Sequence, residues 1–280
     1  RVRDAAPAVA GIGWGGHAHL SAVVWRDGLL ATSEQSLPRA DRYEAVLNGG
    51  ARQPATLVGR DSTTNVAILR TESTTAVPST VAPPGVGALV LALGSNGAGG
   101  VTARLGGLEV SGPAWDSRAG GRIDALLRVG VRLGPGAEGG PVLDARGSVL
   151  GMSTFGPRRT VLVIPAATIE RVLEPLLRHG RISRGWLGVG LHPVALPSEM
   201  TERAAAGHGL MVVSFADQAP ARTALLPGDI LLEIGGRAAA SPRDVAAALG
   251  PETVGQGVLL KVLRGGAVTT ETVTVGARPC

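Results

Sequence analysis

The chain has 280 residues, a length that accommodates two domains, each with its own core. Its formal charge of +5 comes almost wholly from arginine, since Lys261 is the only lysine, and the arginines are scattered singly, with Arg158-Arg159 the densest pair. Aromatics make up only 2%, so the basic patch with interleaved stacking rings that single-stranded nucleic acid requires is missing, and nucleic acid is not an expected partner.

Gly 42 and Pro 19 are high for a globular chain but short of disordered or collagen-like compositions. The 44% hydrophobic content arrives as short Val/Leu runs between Gly, Pro and Asp turns, the pattern of a β-rich fold with few helices. Cys280 is the only cysteine, so no intrachain disulfide or cysteine-based metal site forms, and it gives no reading of the redox compartment. The longest clean apolar run, from Val86 to Leu93, is broken by Gly87 and is far too short to span a bilayer. Beginning at Arg1 without an initiator Met or a signal h-region, the chain reads as one whose natural N-terminus has been removed, which leaves membrane anchoring open.

In chain order, residues 8–70 read as short strands at 8–14, 20–25, 29–32, 43–48, 55–58 and 66–69, separated by turns containing Gly, Asp, Pro or Asn. Six such strands suit one closed antiparallel barrel. Residues 76–165 read as a second barrel, with strands at 88–93, 102–110, 123–131, 149–154 and 161–165. A helix closes this domain: Ile169, Val172, Leu173, Leu176 and Leu177 recur at helical spacing, Gly180 follows as C-cap, and Pro175 predicts a kink. After a linker around 181–185, a smaller domain begins. Ser241-Pro242-Arg243-Asp244 opens a helix with N-cap, N1 proline and an acidic N3, and Val245 and Leu249 share one of its faces. Strands at 257–263 and 268–275 close the chain.

The stretch around which the rest is organised is Gly134-Pro135-Gly136-Ala137-Glu138-Gly139-Gly140-Pro141. Glycines and prolines crowd around one acidic side chain, a composition that permits positive φ and close approach to the backbone. Such a turn can aim successive N–H groups at one spot, as an oxyanion hole does. The segment resembles the nucleophile loop of trypsin-like serine proteases, in the Pro-Gly-Asn-Ser-Gly-Gly-Pro-Leu form of the HtrA family, with Glu138 where that family has serine. Residues 29–35 resemble the family's strand ending in Thr-Asn-x-His, and 60–69 its Asp-x-x-Thr-Asp-Leu-Ala-Val-Leu. This resemblance places Glu34 at the histidine position and Asn65 at the aspartate position. Trp186-Leu187-Gly188-Val189 resembles the carboxylate-binding loop of PDZ domains, and 219–236 the most recognisable PDZ stretch of HtrA proteins. The likeness runs over nearly the whole chain. It implies a mostly β protein: a trypsin-like double antiparallel β-barrel in residues 1–180, followed by a small α+β PDZ domain in 183–280.

Serine proteolysis needs a hydroxyl nucleophile, an imidazole and an orienting carboxylate. Glu138, Glu34 and Asn65 supply none of these in their places, and a carboxylate at 138 sets negative charge where the oxyanion of the Gly136-Ala137 turn would develop. The expectation is a pseudoprotease without catalytic activity, metal or cofactor, acting as a peptide- or protein-binding scaffold or regulator. Two alternatives stay open: a hydrolase rewired around Glu34 and Glu138, and a chaperone-like holdase. If the barrel is kept, Glu34 and Glu138 should face each other, an arrangement that could hold a divalent cation or form an acid/base pair. His17 and His19 would share a face of an extended segment but lack a third metal ligand, so a solvent-facing turn is expected. His179 suits a helix C-terminus by its charge, while His192 and His208 stand alone.

For the second domain the resemblance implies a peptide site. N–H groups of Leu187, Gly188 and Val189 would hold a terminal carboxylate, Val189 to Leu191 would pair with the incoming strand, and Val245 and Leu249 would line the pocket for an apolar last side chain. The expected partners are therefore protein or peptide C-termini. The resemblance also implies a periplasmic or extracytoplasmic location. HtrA proteins trimerise through aromatics near the N-terminus of the barrel; residues 1–13 contain none, which speaks against a trimer.

Overall fold

The computed structural model describes residues 2–15, 19–72, 74, 79–117 and 119–278, and the chain divides after Ile182 into two compact units. The first unit opens with a one-turn helix α1 (Val2–Ala5) and then builds six strands: β1 (Val9–Gly13), β2 (His19–Arg26), β3 (Leu29–Ser33), β4 (Tyr43–Leu47), β5 (Arg52–Asp61) and β6 (Val66–Arg70). They close into an antiparallel barrel in the order β1-β2-β3-β6-β5-β4. Within β2 both faces are apolar because both are covered. Ala22 and Val24 point into the barrel, while Val23 and Trp25 point out of it into a second apolar layer.

A second closed barrel follows. It comprises β7 (Leu89–Ser95), β8 (Val101–Gly112), β11 (Leu126–Val129), β12 (Pro141–Asp144), β13 (Val149–Phe155) and β14 (Val161–Pro165), in the order β11-β14-β13-β12-β7-β8. Between β8 and β11 a small two-stranded ribbon is inserted, β9 (Trp115–Asp116) with β10 (Arg122–Ile123). The strand expected over 123–131 is thus split: Ile123 pairs with Trp115 in the ribbon, and only Leu126–Val129 joins the barrel, with a register shift after Arg128.

The layer between the barrels gathers Val23, Ala31 and Ile68 from the first with Leu93, Leu143 and Met152 from the second. Helix α2 (Ala166–His179) caps this layer with Ile169, Val172, Leu173 and Leu176. Burying each such side chain contributes roughly 1.5–3 kcal/mol, so this shared layer makes the two barrels one folding unit. Helix α2 runs through Pro175 as one continuous helix to His179, and Gly180 ends it at φ 69 with its N–H on Leu176 O.

The second unit holds β15 (Gly185–Trp186), β16 (Val189–Ala195), α3 (Ser198–Ala204), β17 (His208–Phe215), β18 (Ile230–Ile234), β19 (Arg237–Ala238), α4 (Pro242–Ala248), β20 (Gly257–Arg264), β21 (Ala267–Thr274) and β22 (Gly276–Ala277). The main sheet runs β16-β17-β18-β20-β21, which leaves β16 on an edge, and β15 pairs with β22. Its core joins Leu210, Val212, Leu231, Ile234, Leu260 and Val262 of the sheet to Val245 and Leu249 of the α4 segment. Helix α4 starts as its sequence predicts: the Asp244 carboxylate accepts from Ser241 N at 2.7 Å and from Ser241 Oγ at 2.9 Å. No helix among the described residues is long and apolar enough to cross a membrane.

Candidate functional sites

The first site lies where the ends of β3, β6 and β13 meet the loop between β11 and β12. Strand β3 delivers Ser33 into the interior, and the chain turns immediately afterwards, with Leu37 N donating to Glu34 O at 3.2 Å. Strand β6 begins at Val66, just after Asn65 in the left-handed region at φ 60. The preceding turn is fixed by buried Asp61, which accepts from Thr63 N at 3.0 Å, Thr63 Oγ1 at 2.6 Å and Thr64 Oγ1 at 2.6 Å.

Glu138 is only 5% exposed, yet its carboxylate has no cationic partner among the described residues. Five donors hold it instead. Oε1 accepts from Gln35 Nε2 at 2.7 Å, Ser33 Oγ at 2.8 Å, Thr154 Oγ1 at 2.8 Å and Phe155 N at 3.2 Å, and Oε2 accepts from Ser36 Oγ at 2.5 Å. Burial alone drives the Glu138 pKa up and is the largest single influence. The hydrogen bonds from Ser36, Gln35, Thr154 and Ser33 together outweigh it and hold the group below the ordinary 4.5, hence ionised. Asn65 completes the network. Its Oδ1 accepts from Gln35 N at 2.7 Å and its Nδ2 donates to Thr154 Oγ1 at 2.7 Å, an orientation the Gln35 N–H dictates.

Glu34 is not part of this network, and the expectation that it faces Glu138 is wrong. Its carboxylate lies 3.5 Å from Arg60 Nη1 of β5. β3 ends at Ser33, and in the turn that follows Gln35 and Ser36 reach the Glu138 carboxylate while Glu34 is directed to Arg60. Counting Thr-Asn-x-His from Thr32 ends at Gln35, so the residue at the histidine position is Gln35 and the Glu34 assignment was one residue short. With Glu34 committed to Arg60, the paired-carboxylate readings, a shared cation or an acid/base dyad, lose their geometry.

The turn itself is pinned from β2. Ser21 Oγ donates to Gly136 O at 2.7 Å and accepts from Ser95 N at 2.8 Å, while Ser21 N donates to Glu138 O at 3.0 Å. Gly136 sits at φ 72, and Ala137 N donates to Gly134 O at 3.2 Å. Among the described residues, the N–H groups of Gly136 and Glu138 have no acceptor. Ser21, Ser33, Gln35, Ser36 and Thr154 escaped the sequence reading. Only Gln35 carried a signal, the full length of the motif; the four hydroxyls look like ordinary strand and turn residues. His19 lies beside this turn with Nε2 on Ser95 O at 3.1 Å, whereas His17 and Cys280 fall outside the described residues.

The second site is in the second unit. Leu187, Gly188, Val189, Leu191, Val245 and Leu249 all line one cavity of about 270 Å³, together with Trp186 and Arg278. Gly188 has φ 72, and a Cβ there would lie 2.5 Å from Ala219, so the loop admits only glycine. The carbonyls of this loop are engaged, Leu187 O by Ala221 N at 3.1 Å and Gly188 O by Ala216 N at 2.8 Å. The N–H groups of Leu187 and Gly188 have no acceptor among the described residues. Paired donors, an open edge on β16 and an aliphatic wall from α4 together suit a chain end: carboxylate at the loop, strand along β16, side chain in the cavity.

Comparison with known proteins agrees with both halves. Residues 20–152 match the trypsin-like peptidase domain model and residues 185–275 the PDZ domain model. The chain is 30% identical over 271 residues to a probable periplasmic serine endoprotease DegP-like of Brucella suis, covering 92% of this chain and 52% of that protein. A protein of the same description from Halomonas elongata is 29% identical, with 92% of this chain and 56% of that one covered. The chain thus spans about half the length of the curated relatives it matches. Among solved structures, the HtrA-type protease AlgW with decapeptide superposes with a TM-score of 0.79 at 25% identity, covering 100% of this chain and 98% of that one. The same protease with tripeptide gives a TM-score of 0.77 at 28% identity, covering 100% and 96%. With two six-stranded barrels followed in sequence by a second, PDZ-type unit, the chain belongs to the HtrA family, a trypsin-like peptidase domain followed by a PDZ domain.

Proposed function

We propose that this chain is a non-hydrolysing HtrA protein that binds protein or peptide C-termini through its PDZ groove and acts as a scaffold or regulator outside the cytoplasm. The observation that carries the loss of hydrolysis is the self-satisfied network around Glu138. Position 138 offers an ionised, fully hydrogen-bonded carboxylate in place of a hydroxyl. Gln35, beside it, has no basic nitrogen to take a proton, and Asn65 is a neutral amide. Losing the catalytic residues of a well-studied protease costs about 10⁶ in kcat, leaving a residue too small to matter for turnover. The peptide-binding half rests on the unused N–H groups of Leu187 and Gly188 and on the aliphatic cavity beside them. Names of the relatives, which include periplasmic endoproteases, support the location.

A fluorophosphonate probe tests the first half. No adduct is expected on the full chain, and stoichiometric labelling of any serine in the cleft would overturn the reading. The second half is tested by fluorescence anisotropy with peptides that have free and amidated C-termini. Equal binding of the two forms would remove the groove from the proposal.

A further inference from the structure

One charged side chain belongs to the groove of the second unit and is used by neither its loop nor its aliphatic wall. β15 and β22 pair with Trp186 opposite Gly276 and Gly185 opposite Ala277. Arg278 extends this ribbon by one residue, its N–H donating to Arg184 O at 2.9 Å. Alternation puts the Arg278 side chain on the face of Trp186, and diagonal neighbours across an antiparallel pair lie within reach of long side chains. The Trp186 ring in turn abuts the loop, its Cζ2 lying 3.0 Å from the point that a Cβ on Gly188 would occupy. The ribbon therefore sets Arg278 at the loop end of the groove, and Arg278 lines the same cavity as Leu187 and Gly188.

Among the described residues, Arg278 is the only charged side chain in the lining of this cavity. It is exposed, and its guanidinium has neither an ion-pair nor a hydrogen-bond partner among the described residues. The acid on the neighbouring helix, Asp244, does not compete for it, being engaged by Ser241 at the start of α4. The N–H groups of Leu187 and Gly188 are open on the same cavity. Three groups that each seek negative charge thus share one space, and the rest of its wall is aliphatic. A single carboxylate, with two oxygens and about four acceptor positions, can satisfy all three.

Given the peptide groove proposed above, we propose that Arg278 is a specificity-determining residue of that groove. Its guanidinium pairs with the terminal carboxylate that the Leu187 and Gly188 N–H groups hold, so the chain end is recognised by charge as well as by backbone hydrogen bonds. The pair is exposed at the rim, so salt screens it and discrimination against uncharged chain ends is greatest at low ionic strength.

The test uses the full chain and fluorescence anisotropy with decapeptides of Gly and Ser, carrying a neutral dye and ending in Val, Leu, Ile or Phe. Each peptide is made as the free acid and as the amide. Arg278→Ala is expected to weaken the free acid about fivefold at low salt, with a smaller loss at high salt, and to leave the amide unchanged. Arg278→Glu should weaken the free acid by about tenfold or more, since it sets a like charge beside the carboxylate. Unchanged binding of the amide and an unchanged urea midpoint of the second unit certify the groove in both variants. Equal loss of acid and amide in Arg278→Ala would make the residue a piece of the wall and overturns the proposal. So does an acid-to-amide ratio that neither variant alters. A peptide with Asp in the penultimate place that alone loses affinity in Arg278→Ala would put the guanidinium on a side chain, which overturns it equally. If no free acid binds the wild type better than its amide, the groove reading itself fails and this proposal falls with it, a result distinct from the other three.

Discussion

Replacing the buried Glu138 by alanine should make the first unit unfold far more readily. The carboxylate joins the second barrel, through its own loop, Thr154 and Phe155 N, to the first barrel at Ser33, Gln35 and Ser36. A hydrogen bond to a charged group is worth about 1.5–3 kcal/mol, but the five are not additive, since three donors are hydroxyls that can rotate and Gln35 is exposed enough to reach water. The Gln35 amide also keeps Phe155 O as acceptor, at 3.0 Å. Discounting for these, Glu138→Ala is expected to cost about 3 kcal/mol, a Tm lower by roughly 6–12 °C for a unit of this size. Differential scanning calorimetry on the full chain should show that loss in the transition of the barrels, with the PDZ transition unmoved. Acid sensitivity supplies an independent reading. The folded-state pKa lies below the ordinary 4.5, so the carboxylate contributes stability that is complete above about pH 4.5 and is lost as pH falls through the depressed value. Glu138→Gln removes that titration, and its stability should fall less steeply below pH 4.5 than that of the wild type. A Glu138→Ala variant within 1 kcal/mol of wild type would refute the idea that this network ties the barrels together.

The remaining predictions concern the turn, the groove and the second core. Gln35→His, Asn65→Asp and Glu138→Ser together are expected to leave casein turnover at background, because Ser33, Ser36 and Thr154 are placed around a carboxylate and would have to re-pair around an imidazole and a hydroxyl; robust turnover would show that only the side chains were missing. Amidating a bound peptide should weaken PDZ binding by about tenfold or more, the loss of a hydrogen bond to a charged group, and Leu249→Lys should match that loss in anisotropy titrations. Arg264→Ala should destabilise the second unit by about 3 kcal/mol, since it strands the buried Asp229 carboxylate that Arg264 Nη2 now meets at 2.7 Å; a urea midpoint within error of wild type would contradict this.

The barrels were legible because their strands are short apolar runs punctuated by Gly, Asp and Asn, and because both barrels lie within one sequence rhythm. Residues 123–131 were misread as one strand since apolar alternation cannot announce that Asp124 and Ala125 leave the sheet. The PDZ domain was legible through its resemblance rather than its periodicity. The resemblance of Trp186-Leu187-Gly188-Val189 to a PDZ loop implies these residues, and the structure brings Leu187, Gly188, Val189, Leu191, Val245 and Leu249 to one cavity. The cleft was not. Its partners Ser33, Ser36 and Thr154 come from segments 105 to 16 residues away from Glu138, and hydroxyls at strand ends carry no periodic signal. The Glu34 error has a plain cause as well. Glu34 lies one place before the motif's end, and the turn after Ser33, which no local pattern announces, sends Gln35 and Ser36 to Glu138 and Glu34 to Arg60.

The two sites differ in how their polar groups are settled, and that difference argues for different roles. Around the Glu138 carboxylate the side chains are already matched: Gln35 Nε2, Asn65 Nδ2 and the three hydroxyls all point at the carboxylate or at one another, while the N–H groups of Gly136 and Glu138 have no acceptor among the described residues. A buried network closed in this way gains rigidity and offers an incoming group nothing to replace, so its natural role is to hold the barrels in register. The PDZ loop has no such side-chain network among the described residues. Gly188 is forced into the left-handed region and Leu187 and Gly188 leave their N–H groups open, an arrangement that costs stability until an anionic acceptor arrives. The comparison also ranks the tests. Gly188→Ala should abolish peptide binding while leaving the barrel transition unchanged, and Glu138→Ala should do the reverse. If each variant moved both readouts equally, the division between a structural cleft and a working groove would fail.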